Sequence, residues 1–267
     1  MCVASALLAS KFWYLSDDVS LLVRQFLIQN PINKGKNTNQ HKGVVELNHI
    51  PFSNKNGFEF KDLHSFVGET WLTGNALSMG IYSVARRQPF GDFQPCTVFD
   101  TCLYAHMTGN PTGISNPYSF EATLKFTSLL CVDYLERDIV FPVHLPGHYI
   151  SVIISYEKGF IAVIYPYHTT QSIVLSNIMR WYLDEYARLH GQRPIRSSRF
   201  NINNWVIFNG SSLPIGLTKQ PYNDTWSCGP ITAAIICNWI QYRELLWSLM
   251  DFKTAQTCVF TCFIQLL

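Results

Sequence analysis

Residues Ile231 to Ile240 read as apolar on every side and follow directly on Cys228-Gly229-Pro230. A helix with one apolar stripe needs one partner, but a helix apolar all round must be covered from every direction, so this one belongs in the middle of a domain. The rest of the chain therefore has to supply a sheet and further helices around it. The material is present: 267 residues, 48% hydrophobic, with 18 Phe, 13 Tyr and 7 Trp against 14% charged residues. That is enough for one large core or two modest ones, and excludes global disorder. One domain of residues 66–250 is expected, with residues 1–65 as an N-terminal extension and 251–267 as a closing helix or tail.

Leu15 to Ile28 reads as a helix, with Ser16 as its cap and Asp17 and Asp18 in its first turn; Asn33 to Gly57, rich in Asn, Lys and Gly, reads as an exposed connection around a Val44 to Leu47 strand. Thr73 is placed to cap a helix running to about Arg86, with Leu77, Ile81 and Val84 at helical spacing. Phe90 to Pro117 carries too much Pro, Gly and Asn punctuation to assign.

Ile139 to Val143, Tyr149 to Tyr156 and Phe160 to Tyr165 read as strands, the last two joined into a hairpin by Glu157-Lys158-Gly159. The arms of that hairpin are almost wholly apolar, which predicts a sheet covered on both faces. Leu175 to His190 reads as a helix presenting Leu175, Ile178, Tyr182, Tyr186 and Leu189 and ending at Gly191; Trp205 to Phe208 reads as a further strand.

The net charge of +2 is spread along the chain without a basic block, so no nucleic-acid partner is expected. No apolar run approaches the roughly 20 residues of a bilayer span, so no membrane partner is expected either. Met1 to Ser10 lacks the basic start of a secretory signal. The eight cysteines contain no C-x-x-C, which suggests neither a zinc site nor a disulfide framework. The expectation is a monomer without metal or cofactor in a reducing compartment, nuclear or cytoplasmic.

Cys228 falls in the first turn of the buried helix. Gly229 permits close backbone approach, and Pro230 sits where its missing N–H costs nothing. Free N–H groups and the positive end of the helix dipole favour a thiolate there and can hold an oxyanion beside it. The plain reading of any cysteine is a small buried hydrophobe. Cys237, mid-helix, is assigned to the core on that ground. Among eight histidines, His148 is the best candidate base, because Pro142 to Gly147 leads the chain to the mouth of a buried strand; His144 and His168 compete with it.

Four stretches in one order resemble the ubiquitin-like-protein-specific (SUMO-type) cysteine proteases. They are Trp71-Leu72-Thr73-Gly74, Ile139 through His148-Tyr149, Ile161 to Tyr167 with the helix after it, and Gln220 through Cys228-Gly229. The resemblance implies an α+β, papain-like fold whose central, mostly antiparallel sheet packs on a helix that starts at the nucleophile. It further implies that Cys228 attacks a carbonyl after a C-terminal Gly-Gly and that His148 takes up and returns the proton. Gln220 and the Cys228 N–H would bind the oxyanion, while Trp71 and Tyr149 would close over the Gly-Gly tail of a ubiquitin-like modifier.

Where the family carries its catalytic Asp, this chain has Tyr165-Pro166, and no carboxylate occurs from Phe160 through Tyr182. Gln220 lies eight residues before Cys228, a longer spacing than the family's, which implies an inserted pair around Asn223-Asp224. Loss of the orienting Asp from a serine-protease triad costs about 10⁴ in rate. Three readings follow: an active isopeptidase or processing peptidase, an impaired relative that binds a ubiquitin-like protein without cleaving it, and the same core serving acyl transfer or another protease specificity.

Overall fold

The computed structural model describes Asp62, Ser65 and residues 71–85, 95–109, 118–128, 130, 132–166, 171–191, 204–209, 220 and 223–245. The expected Leu15 to Ile28 helix, the Val44 to Leu47 strand, His168 and the segment 251–267 lie outside the described residues.

Five strands form one sheet in the order β1-β2-β3-β4-β5: β1 (Thr97–Val98), β2 (Ile139–Leu145), β3 (His148–Ser155), β4 (Phe160–Ile164) and β5 (Val206–Asn209). The central pairs β2–β3 and β3–β4 are antiparallel, while β1 joins β2 and β5 joins β4 in parallel. The helices are α1 (Gly74–Ala85), α2 (Cys102–Met107), α3 (Leu124–Thr127), α4 (Ser172–His190) and α5 (Cys228–Tyr242). β1 and α2 fall in the stretch the sequence left unassigned. Two and six residues are too short for a hydrophobic period to show.

Strand alternation sorts the sheet into two covered faces. Tyr149, Ile153, Phe160, Ala162 and Ile164 pack with α1 and α5. Ile150, Val152, Ile154, Ile161 and Val163 pack against Leu103 and Met107 of α2 and Val174, Ile178 and Trp181 of α4. The result is three layers with the sheet in the middle. α5 meets the expectation of a buried helix, with one correction: Cys237 is half-buried at the edge of the core.

α4 also differs from its predicted stripe. Ile178 and Tyr182 are buried, but Leu175, Tyr186 and Leu189 are only half so, and the centre of the buried face is Val174, Trp181 and Glu185. A glutamate at the heart of the stripe hides it from a hydrophobic count. Its burial is matched by hydrogen bonds from Tyr134 Oη at 2.7 Å and from Arg188 Nε at 2.7 Å and Nη2 at 2.6 Å.

Two devices hold α5. At its C-terminal end, Arg243 adopts a left-handed conformation (φ 56°) and donates its backbone N–H and Nη1 to Trp239 O, each at 2.9 Å. Its Nε lies 3.2 Å from Asp138 Oδ2, an oxygen that also accepts Trp239 Nε1 at 3.0 Å, while Asp138 Oδ1 accepts Ser155 Oγ at 2.8 Å. Mid-helix, Ser151 Oγ of β3 donates to Thr232 O at 3.2 Å. Burial pushes the Asp138 carboxyl above its ordinary value even against the pull of Ser155, Arg243 and Trp239. The pair therefore fixes geometry more than it adds net stability, and breaking it strands a buried charge. Asp138→Ala is expected to lower unfolding stability by roughly 3–5 kcal/mol in urea titrations, and adding Arg243→Met should recover part of that loss.

Candidate active site

The N-terminus of α5 meets the start of β3. Cys228 is buried, and the backbone N–H groups of Tyr149, Gly229 and Cys228 itself lie near enough to its sulfur to favour the thiolate. Because Tyr149 packs against the start of α5, its chain neighbour His148 begins close to the nucleophile candidate. Gly229 allows a close approach: a Cβ there would lie a tight 3.1 Å from Leu72 Cβ and 3.4 Å from the Tyr149 ring. Leu72 is fixed in turn, since its carbonyl accepts Tyr149 Oη at 3.0 Å.

The Pro146-Gly147 turn between β2 and β3 sets His148 in place. Gly147 has φ +76°, a left-handed conformation suited to glycine, and a Cβ there would meet the Trp71 ring at 3.6 Å. The half-buried His148 ring lies between two aromatics: Trp71, with centroids 6.5 Å apart, and Tyr165, edge-on at 5.4 Å and 84°. Trp71 is 41% exposed and forms a lip, whereas Tyr149 is 4% exposed and packs in the core. The competing His144 is exposed and stacks on Tyr149 at 4.8 Å.

The lip is anchored by Asp62, which lies on the extension side of the expected boundary. Its buried carboxylate accepts Thr73 Oγ1 at 2.5 Å and Asn75 Nδ2 at 3.3 Å, and Thr73 Oγ1 in turn accepts Ala76 N–H at 3.2 Å to cap α1. Nothing in the residues 11 positions apart announces that contact.

Gln220 is buried behind the site. Its N–H donates to Pro166 O at 3.1 Å, and its Nε2 donates to the backbone carbonyl of Asp224. The Asp224 carboxylate accepts the N–H groups of Trp226 and Ser227. Sequence reasoning gave Asp224 no role, although an Asp just ahead of a helix is a known turn-forming signal. Cys228, His148, Trp71 and Tyr149 are thus gathered where α5 meets β3, with Gln220 tied to the loop before Cys228 and Tyr165 against His148.

No family model and no curated protein sequence matches the chain. Solved structures do. The SUMO protease Ulp1, with its catalytic cysteine oxidised to a sulfonic acid, is 12% identical, with 78% of this chain and 85% of that one covered and a TM-score of 0.56. The C-terminal Ulp1 protease domain in complex with Smt3, the yeast ortholog of SUMO, is 13% identical, with 78% and 83% covered and a TM-score of 0.54. The catalytic domain of the Chaetomium thermophilum Ulp1-like SUMO protease is 12% identical, with 77% and 76% covered and a TM-score of 0.51. The chain has the fold of a SUMO-protease catalytic domain. At such identities the likeness carries the α+β, papain-like architecture, and the chemistry has to be argued from the site.

Burial pushes the Cys228 thiol above its ordinary 9.0; the three N–H groups pull it back and the Asp224 carboxylate adds to the rise. Burial also lowers the His148 imidazole below its ordinary 6.5. At neutral pH both shifts favour a Cys228 thiol and a neutral His148 imidazole over a thiolate and an imidazolium. Alkylation of Cys228 by iodoacetamide, followed on the Cys228 peptide by mass, should rise with pH through a midpoint above 9.0. A reactive plateau persisting into acid would overturn this assignment.

Proposed function

We propose that the chain is a cysteine peptidase that cleaves after the C-terminal Gly-Gly of a ubiquitin-like modifier, with Cys228 as nucleophile and His148 as base. One observation carries the reading: a buried cysteine opens a buried helix that packs against Tyr149, and the residue before Tyr149 is a histidine. As the Cys228 sulfur attacks the carbonyl carbon, its proton passes to His148, which returns it to the leaving amine; water then hydrolyses the thioester. Negative charge on the carbonyl oxygen is met by the Cys228 N–H and the Gln220 amide.

Exposed Trp71 over the Gly147 turn and Tyr149 beneath it would close over a tail without side chains, a reading supported by the closeness of the Trp71 ring to Gly147. A SUMO-like partner is supported by the neighbour solved in complex with Smt3. The reaction needs no metal or cofactor, and a monomer in the nucleus or cytoplasm satisfies it.

A second reading is favoured by Tyr165. Its ring edge occupies the flank of His148 where an aspartate would orient and stabilise the imidazolium, so the chain would bind a ubiquitin-like protein without cleaving it. Release of a fluorophore from a panel of ubiquitin-like C-terminal conjugates separates the two. The peptidase reading expects slow release, abolished by Cys228→Ala and by His148→Ala. It also expects a gain of at least about tenfold in kcat for Tyr165→Asp, a fraction of the roughly 10⁴ that an orienting carboxylate is worth in a serine triad. Silence from folded protein that still binds a conjugate, persisting in Tyr165→Asp, would establish the binding reading.

A further inference from the structure

The turn that delivers Cys228 is wound around one side chain. Asp224 Oδ1 accepts the backbone N–H of Trp226 at 3.0 Å and of Ser227 at 2.9 Å, and Oδ2 accepts the buried Ser227 hydroxyl. Ser227 immediately precedes the nucleophile, and its carbonyl accepts the Ile231 N–H at 3.0 Å as α5 begins. Ser227 is itself near-helical (φ −75°, ψ −6°) and makes no side-chain cap. The carboxylate of Asp224 supplies acceptors that the helix entry otherwise lacks.

The same residue reaches the other side of the site through its backbone. Gln220 Nε2 carries two hydrogens, and one is committed to the Asp224 carbonyl. A flipped carboxamide would set two oxygens against each other there, so Asp224 fixes which way the amide faces. Only one hydrogen on that nitrogen remains for a substrate oxygen.

We propose that Asp224 is the positioning residue of this site: its carboxylate fixes the turn from which the Cys228 sulfur and N–H project, and its carbonyl fixes the carboxamide of Gln220. The kinetic consequence rests on the peptidase reading above, whereas the consequence for the thiol does not. Asp224 also bears on the thiol electrostatically. The groups facing Cys228 are Asp224 from the preceding loop and Tyr149, with His148 beside it, from β3; Asp62 acts on Tyr149. Of these, the Asp224 charge raises the thiol.

Asp224→Asn keeps an Oδ1 acceptor for both N–H groups and removes the charge, whereas Asp224→Ala removes both. In the full chain, Asn is expected to move the pH midpoint of Cys228 alkylation downward and keep kcat near that of the parent. Ala, freed of the charge but with the sulfur's N–H donors loosened, should show a midpoint above that of Asn. Its kcat should fall about tenfold to a hundredfold, the scale of a displaced reacting group, with KM little changed.

The proposal is overturned if Asn and Ala share one alkylation midpoint, or if Asn loses as much kcat as Ala. If Ala does not fold, Asn alone decides: a lowered midpoint with activity retained supports the positioning role, and an unmoved midpoint or lost activity refutes it. A chain that turns over no conjugate would sink the peptidase reading, and the difference between the Asn and Ala midpoints would still decide the role of Asp224.

Discussion

A helix buried on all sides, beginning at a cysteine, is the constraint on which this structure depends. Ile231, Ile235, Ile236 and Ile240 of α5 are all nearly or fully removed from solvent, each contributing about 1.5–3 kcal/mol by burial. Covering them takes α1 on one flank and one face of the sheet, so the positions of both follow from the helix. The same burial withdraws water from Cys228 and penalises its charged form. The fold therefore sets two opposing influences at the sulfur. Desolvation holds the proton on, and converging N–H groups make its removal less costly when a base approaches.

That balance explains why the remaining parts of the site are tied to the backbone rather than left on loops. Tyr149 serves both the core and the cleft: its ring packs in the α5 layer, its hydroxyl pins Leu72, and its N–H addresses the sulfur. Gly229 leaves the space for this, because a Cβ there would press on Leu72 at 3.1 Å and force it to give way. At the far end of α5, Asp138 and Arg243 resist sliding or rotation of the helix on the sheet, and a displacement there would be transmitted along a rigid rod to Cys228. A buried ion pair whose Arg243 lies 14 residues beyond the first-turn Gly229 thus has a geometric relation to the site without touching it.

The parts of this arrangement legible in the sequence were those with a strong period or strong punctuation. The apolar run of α5, the β3–β4 hairpin and the Thr73 cap of α1 all announced themselves, and with them the meeting of Cys228 and the His148 strand. The less legible parts have specific physical causes. β1 and α2 are too short for periodicity. The centre of the buried face of α4 contains Glu185, whose burial is compensated only by Tyr134 across the fold and Arg188 one turn on. Asp62 acts through hydrogen bonds 11 and 13 positions away that no spacing rule singles out, whereas Asp224 uses the short spacing of an Asx turn, a signal that the sequence carried without a role being drawn from it.

The carboxylates of this site are spent on backbone rather than on the imidazole. Asp62 ties down the lip that carries Trp71, and Asp224 winds the turn that carries Cys228, while the flank of His148 is occupied by an aromatic ring. An edge-on tyrosine restrains the imidazole sterically and excludes water, but a ring offers nothing comparable to a carboxylate for stabilising an imidazolium. Burial acts in the same direction, holding His148 neutral. A neutral imidazole is the correct state to accept a thiol proton, yet the cation it becomes is poorly supported. On the peptidase reading proposed above, such a site is organised for the first proton transfer and weak in its stabilisation of the product of that transfer, and the missing charge beside His148, rather than the placement of Cys228, is its weak point.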